Sequence, residues 1–187
     1  NLNLRLVKVI DTHIHADHIS GLNELSKKTN CTKIMGEHSV SEVVDIHVKD
    51  NEKIKIENIE LISMYTPGHT DCSYSFLMND RVFTGDTLLI NSTGRTDFQS
   101  GNSYDAYNSL FNKLLKLPEK TLIYPAHDYN GKKHSSIENE KNNNPRLQVS
   151  SAEEYAEIMN NLNLENPEMI DIAVPANIKG FTLDRIN

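Results

Sequence analysis

A chain of 187 residues with 37% hydrophobic and 24% charged residues is long enough to bury a substantial core, and residues 1–187 are expected to form one domain. Its formal charge of -7 argues against nucleic acid or an anionic membrane surface as a partner. No run of residues reads as a transmembrane span or a signal-peptide core, and two cysteines, Cys31 and Cys72, without a C-x-x-C pair fit a reducing, intracellular setting.

The mostly apolar run over 4–10 reads as a buried strand ending at Asp11 and Thr12. A short helix is expected over 19–28, with Leu22 and Leu25 three apart, then a strand over 32–35, a turn or small helix over 39–44 and a strand over 45–48. Residues 52–56 and 59–64 look like paired strands, and 73–78 and 81–84 form a second pair joined by Asn79 and Asp80, a tight-turn dipeptide. Ser103 is placed to cap an amphipathic helix whose stripe is Tyr107, Leu110, Phe111, Leu114 and Leu115, stopped by Pro118. That stripe reads as core packing. A strand over 121–124 follows. Ser135 with Glu138 and Ser150 with Glu153 have capping-box spacing, and the second helix carries Tyr155, Ile158, Met159 and Leu162 on one face. Residues 170–174 read as a last strand or extended segment. The order suggests sheets covered by helices.

Chemistry concentrates in four loops, each directly after an apolar strand. The first is Thr12-His13-Ile14-His15-Ala16-Asp17-His18. Thr66-Pro67-Gly68-His69-Thr70, Thr84-Gly85-Asp86-Thr87 and Pro125-Ala126-His127-Asp128 follow. Imidazole and carboxylate are the ligand types that hold Zn, Fe and Mn, and Gly or Pro beside each lets the backbone turn sharply into a cleft. One His-rich loop is common in solvated surfaces; four in this arrangement point to a metal site. His38, His47 and His134 lie outside these motifs and read as ordinary surface or satisfied histidines.

The series His-x-His-x-Asp-His, Pro-Gly-His-Thr, Thr-Gly-Asp and Pro-Ala-His resembles the ligand series of the metallo-β-lactamase superfamily. The resemblance implies an α/β (α+β) αββα sandwich with its metal cleft between the edges of two sheets. Hydrolases of that kind usually hold two metals, here through His13, His15, His69, Asp17, His18 and His127 with Asp86 bridging. Ala16 before Asp17, then Gly94-Arg95-Thr96-Asp97-Phe98-Gln99, Pro125-Ala126-His127-Asp128-Tyr129, Asn144-Pro145-Arg146-Leu147, and the runs over 159–164 and 174–177 closely resemble persulfide dioxygenases over almost the whole chain. Glyoxalase II, the nearest relative of that family, normally shows three adjacent histidines in the first motif and a separate helical C-terminal region.

The resemblance implies one Fe(2+) per chain held by His13, His69 and Asp86, with His15, Asp17, His18 and His127 in hydrogen-bonding support or as a second metal site. It implies an oxidoreductase that uses O2 to convert glutathione persulfide to glutathione and sulfite, working as a homodimer, in the mitochondrial matrix of a eukaryote or the cytoplasm of a bacterium. Glutathione carries two carboxylates, so Arg95, Tyr129 and Arg146 are the substrate-binding candidates, with Thr70 close to the metal; Arg95 and Arg146 read from residues alone as structural ion pairs. Asp97, Asp128 and Asn177 are expected to fix loops. The alternatives are a dinuclear Zn hydrolase of the glyoxalase II type and an inactive metal-binding fragment. Family members carry strands before the first histidine motif, whereas about ten residues precede it here, so the domain is expected to be N-terminally incomplete.

Overall fold

The computed structural model describes residues 4–128 and 130–181. The chain enters through β1 (Lys8–Ile10), passes α1 (Leu22–Thr29) and returns through β2 (Thr32–Gly36) and β3 (Ile46–Val48). These three strands pair in parallel, with Ile10 opposite Ile34 and Ile34 opposite Ile46. β1 is shorter than the expected 4–10. Its neighbour β2 begins at Thr32, whose N–H donates to Val7 O, so no partner strand extends to residues 4–6 and Leu4 is left 82% exposed. α1 starts two residues after Asp11's partner Ser20; of its two leucines only Leu22 is buried, while Leu25 is half exposed.

A second sheet is built from β4 (Lys53–Ile56), β5 (Ile59–Tyr65), β6 (Tyr74–Leu77) and β7 (Arg81–Gly85), each antiparallel to the next. The two strand pairs read from the sequence are these. A small ribbon, β8 (Leu88–Leu89) with β9 (Ser92–Thr93), follows β7. Then α2 (Ser103–Asn108) continues through a π-helical turn at Ser109–Lys113 and a 3-10 turn at Leu114–Lys116. Its cap is Asn102, not Ser103: the Asn102 carboxamide oxygen accepts from the N–H groups of Tyr104 and Asp105. β10 (Leu122–Pro125) joins β7 in parallel and β11 (Ser135–Ser136) closes that edge, giving the order β11-β10-β7-β6-β5-β4.

Three helices complete the described chain: α3 (Ile137–Asn143), α4 (Ala152–Asn160) and α5 (Ile170–Lys179). The caps of α3 and α4 are Ser136 and Ser151, each one residue later than read, because adjacent serines offer the same hydroxyl and only backbone direction selects between them. α5 corrects the expected strand over 170–174. An apolar run of five cannot distinguish the two periods; here Ala173 and Ala176 are buried while Val174 and Ile178 pack on Leu22 and Met35, a helical spacing. No helix among the described residues is long and apolar enough to cross a membrane.

Three apolar clusters define the layers. Ile34, Val48, Ile54, Leu61, Tyr74 and Phe76 meet between the two sheets. Ile14, Leu22 and Met35 join α5 residues outside the small sheet. Outside the large sheet, Val82 and Ile123 pack against Leu110, Leu114 and Leu115, the stripe read as core, and against Tyr155 and Met159 of α4. The arrangement is helix, sheet, sheet, helix, the metallo-β-lactamase αββα sandwich.

Candidate metal centre

β5 and β7 are each antiparallel to β6, and β10 is parallel to β7, so β5, β7 and β10 share one direction and end on one edge. The loops that leave their carboxyl ends carry His69, Asp86 and His127, and the loop after β1 brings His13 to the same point. Burial of the strand cores thus delivers all four motifs to one cleft. Gly68 makes the close approach possible: its φ of 138° is closed to residues with a side chain, and a Cβ there would strike the Ala106 backbone of α2.

His13, His69 and Asp86 place one ligand atom each within 4.8 Å of one another. His13 Nε2 and His69 Nε2 stand 3.9 Å and 3.7 Å from Asp86 Oδ2. The far side of each ring is already engaged. His13 Nδ1 lies 2.9 Å from Thr12 Oγ1, and His69 Nδ1 donates to Arg95 O at 2.8 Å. The carbonyl can only accept, so His69 presents its Nε2 lone pair toward Asp86, and His13 does the same when its Nδ1 donates to the Thr12 hydroxyl, the way ligating histidines are normally held. Burial and the neighbouring imidazoles of His15 and His69 push His13 well below its usual pKa, so it stays the neutral form a metal needs. Asp86 is held well below the usual carboxylate range, against its burial, by its hydrogen bond from His127 and the surrounding histidines. Two neutral imidazoles and a carboxylate on one side fit a divalent metal.

Asp86 Oδ1, facing away from the triad, accepts from His127 Nδ1 at 2.8 Å, and His127 Nε2 reaches Asp17 Oδ2 at 3.0 Å. The hydrogen bond to Asp86 raises the His127 pKa to about 9. His15 is buried with its ring 4.2 Å from that of His13; its Nε2 bonds Asp11 Oδ1 at 3.2 Å, Asp11 in turn accepts from Ser20 Oγ, and the buried Nδ1 of His15 has no hydrogen-bond partner among the described residues. His15, Asp17 and His18 also bring ligand atoms within 4.8 Å, but Asp17 and His18 are exposed.

A cleft of about 440 Å³ opens beside Asp86 and His69, between Phe98, Leu89 and Arg146. Of the substrate candidates, Arg146 fits best. It is half-buried, its Nη1 donates to Thr93 O, and it forms no ion pair among the described residues. Arg95 borders the cleft but is spent: Nε and Nη2 donate to both oxygens of Asp97 at 2.6 Å, and Nη1 and Nη2 to Glu165 O and Leu164 O. This is the structural ion pair. Thr70 adjoins His69, yet its buried hydroxyl bonds Ser73 Oγ at 2.7 Å and does not line the cleft. Tyr129 lies outside the described residues. Asp128 accepts from Asn130 N and Lys132 N, and Asn177 bonds His15 O, His18 O and Ser20 N, so both fix loops.

Three participants escaped the sequence reading. Asp11 reads from the sequence only as the strand's end, although a carboxylate four residues before His15 is a signal. Phe98, whose ring meets His69 edge-on at 5.8 Å, sat within a quoted motif. Gly94 admits no side chain, since a Cβ would strike Asp86 O and the His69 ring.

The sandwich and its edge-mounted His and Asp loops define a metallo-β-lactamase superfamily protein, a class that binds metal, and the family model described as the metallo-beta-lactamase superfamily matches residues 2–127. Persulfide dioxygenase ETHE1 of Homo sapiens is 44% identical over 181 residues, 95% of this chain and 70% of that protein. The crystal structure of ETHE1 from Myxococcus xanthus superposes with a TM-score of 0.92 at 45% identity, covering 94% of this chain and 78% of that one. A hydroxyacylglutathione hydrolase of Dictyostelium discoideum is more distant, 31% identical over 68% of this chain and 50% of its own. The chain belongs to the persulfide dioxygenase family of the metallo-β-lactamase superfamily.

Proposed function

We propose that the chain is a mononuclear Fe(II) persulfide dioxygenase that converts glutathione persulfide, O2 and water to glutathione and sulfite. The observation that carries this reading is the 44% identity over 95% of the chain to a persulfide dioxygenase, against 31% over 68% to a hydroxyacylglutathione hydrolase. His127 bonds Asp86 with one nitrogen and Asp17 with the other, which in the single-metal reading makes it a support for the ligand Asp86. His13, His69 and Asp86 would hold the iron, which when bound supplies redox chemistry toward O2 and open positions for a soft sulfur.

The protein's own groups do the rest. Thr12 and the Arg95 carbonyl hold the ligand rings, and His127 with Asp17 steadies Asp86. Arg146 offers a guanidinium to a glutathione carboxylate, and Phe98 and Leu89 give the cleft an apolar wall that keeps water from the sulfur. Arg95 supports the cleft through Asp97 and the 164–165 backbone rather than by touching substrate. We place the enzyme, as a homodimer, in the mitochondrial matrix of a eukaryote or the cytoplasm of a bacterium.

The test is metal content of purified protein together with O2 uptake on glutathione persulfide and hydrolysis of lactoylglutathione. Iron near one per chain with O2 uptake is the expected result. Zinc with hydrolysis and no O2 uptake overturns it in favour of a dinuclear hydrolase, the reading that the clustered His15, Asp17 and His18 would serve.

A further inference from the structure

Glu140 of α3 is fully buried and forms no ion pair among the described residues. Its carboxylate accepts four hydrogen bonds instead. Oε2 takes the backbone N–H of Asn91 and the Asn144 amide, each at 2.8 Å; Oε1 takes Ser135 Oγ at 2.5 Å and the Asn139 amide at 3.0 Å. A buried carboxylate is costly unless its lone pairs are filled, and here all of them are. Asn91 lies at the turn between β8 and β9 with φ of 55°, a backbone state that needs external support. Asn144, also fully buried, donates to Ser92 O at 2.9 Å and accepts the N–H of Arg146 at 3.1 Å. Arg146 then donates to Thr93 O, whose residue's hydroxyl meets Tyr155 OH at 2.9 Å.

We infer that Glu140 is a positioning residue for Arg146, acting through Asn144 and the Asn91–Thr93 backbone to fix the guanidinium at the cleft. The inference rests on the proposed role of Arg146 as the cation that meets a substrate carboxylate. The carboxylate grips the β8–β9 turn with one oxygen and the start of α3 with the other. Thr93 O, two residues beyond the gripped Asn91, is the acceptor that aligns the Arg146 fork. A planar fork gains its strength from geometry, so displacing Thr93 O weakens the contact without removing the charge. Because Arg146 stands off the reacting atoms, its contribution is made equally to bound substrate and transition state, and its loss appears in KM.

The experiment compares Glu140→Asp and Glu140→Gln, each in the native and the Arg146→Ala background, with KM and kcat measured on glutathione persulfide. Glu140→Asp keeps the charge but is about 1.5 Å shorter and cannot grip both sides. Glu140→Gln keeps the reach: its oxygen serves Asn91 and Asn144 while its amide donates to the Ser135 hydroxyl, and the Asn139 amide, which loses the Oε1 acceptor, keeps its bond to Ser135 Oγ at 2.9 Å. Expected is a KM raised about tenfold in Glu140→Asp with kcat within about twofold, a KM within about threefold in Glu140→Gln, and no further KM rise from either in the Arg146→Ala background. Thermal melts confirm that each variant is folded. A native KM in Glu140→Asp, or a rise that persists without Arg146, overturns the inference while leaving the Arg146 reading intact. An unchanged KM in Arg146→Ala alone overturns both, and marks the Arg146 reading as the one that failed.

Discussion

The side-chain amide of Asn177 donates to the carbonyl oxygen of His18 at 2.9 Å, joining positions 159 residues apart. The same amide reaches His15 O at 2.9 Å, and its oxygen accepts Ser20 N at 2.8 Å. One residue of the last described helix therefore closes three backbone groups of the loop that carries His13. Asn177→Ala is expected to cost about 1–3 kcal/mol, since backbone groups lose partners in a half-buried place. It should also loosen the hold on metal. Chemical denaturation of metal-loaded and metal-free protein checks both effects; equal stability to the native chain would contradict the clamp.

Ligands and supporters should separate by metal content. His13→Ala, His69→Ala and Asp86→Ala each delete a donor and are expected to leave protein purified with little metal. His127→Ala and Asp17→Ala should keep stoichiometric metal at saturation but bind it about 10–100-fold more weakly. Metal analysis after dialysis against graded chelator distinguishes the groups. Equal loss in all five would favour a two-metal site.

Arg95→Lys keeps the charge and loses the fork. Lysine cannot grip both Asp97 oxygens and the 164–165 carbonyls together, so that segment should detach from the cleft rim. We expect about 1–3 kcal/mol of destabilisation from the unmet acceptors, visible in urea denaturation. A variant as stable as the native chain would return Arg95 to the list of substrate contacts.

Tyr155 contributes to the protein's alkaline limit. Burial raises its phenol to about 12, above the ordinary value near 10 that the unfolded chain presents. The raised folded value means the contribution is full below about pH 10 and is lost as pH climbs through about 12, on the order of 3 kcal/mol in all. Tyr155→Phe should make that part of the stability profile shallower, with Tyr74 and Tyr65, also raised by burial, keeping the remainder, at a cost of about 1 kcal/mol near neutrality for the lost bond to Thr93. An unchanged alkaline slope would show that another group sets it.

How much could be read beforehand follows from where the information sits. His13, His69, Asp86 and His127 were legible because each follows a strand and a sharp turn, both local properties of the chain. The stripe from Tyr107 to Leu115 was legible for the same reason. Arg95 has Asp97 two residues on, so its ion pair is local, whereas only the fold leaves Arg146 facing the cleft. Glu140, within the polar run Ile137–Asn143, carries no outward mark of burial, because its four donors come from Asn91 and three residues of its own region. Residues 170–174 read as a strand because the deciding contacts, with Leu22 and Met35, lie about 140 to 150 residues upstream.

The loops after β1, β5 and β7 belong to two different sheets, and one ion would tie them along a shared edge. Occupancy then governs how often the sheets part, since a ligand that binds only the folded form withdraws chains from the open one. Chains made when metal is scarce are then expected to open more often and to be cleaved sooner by a protease. The half-life of the folded chain under protease would lengthen with metal supply.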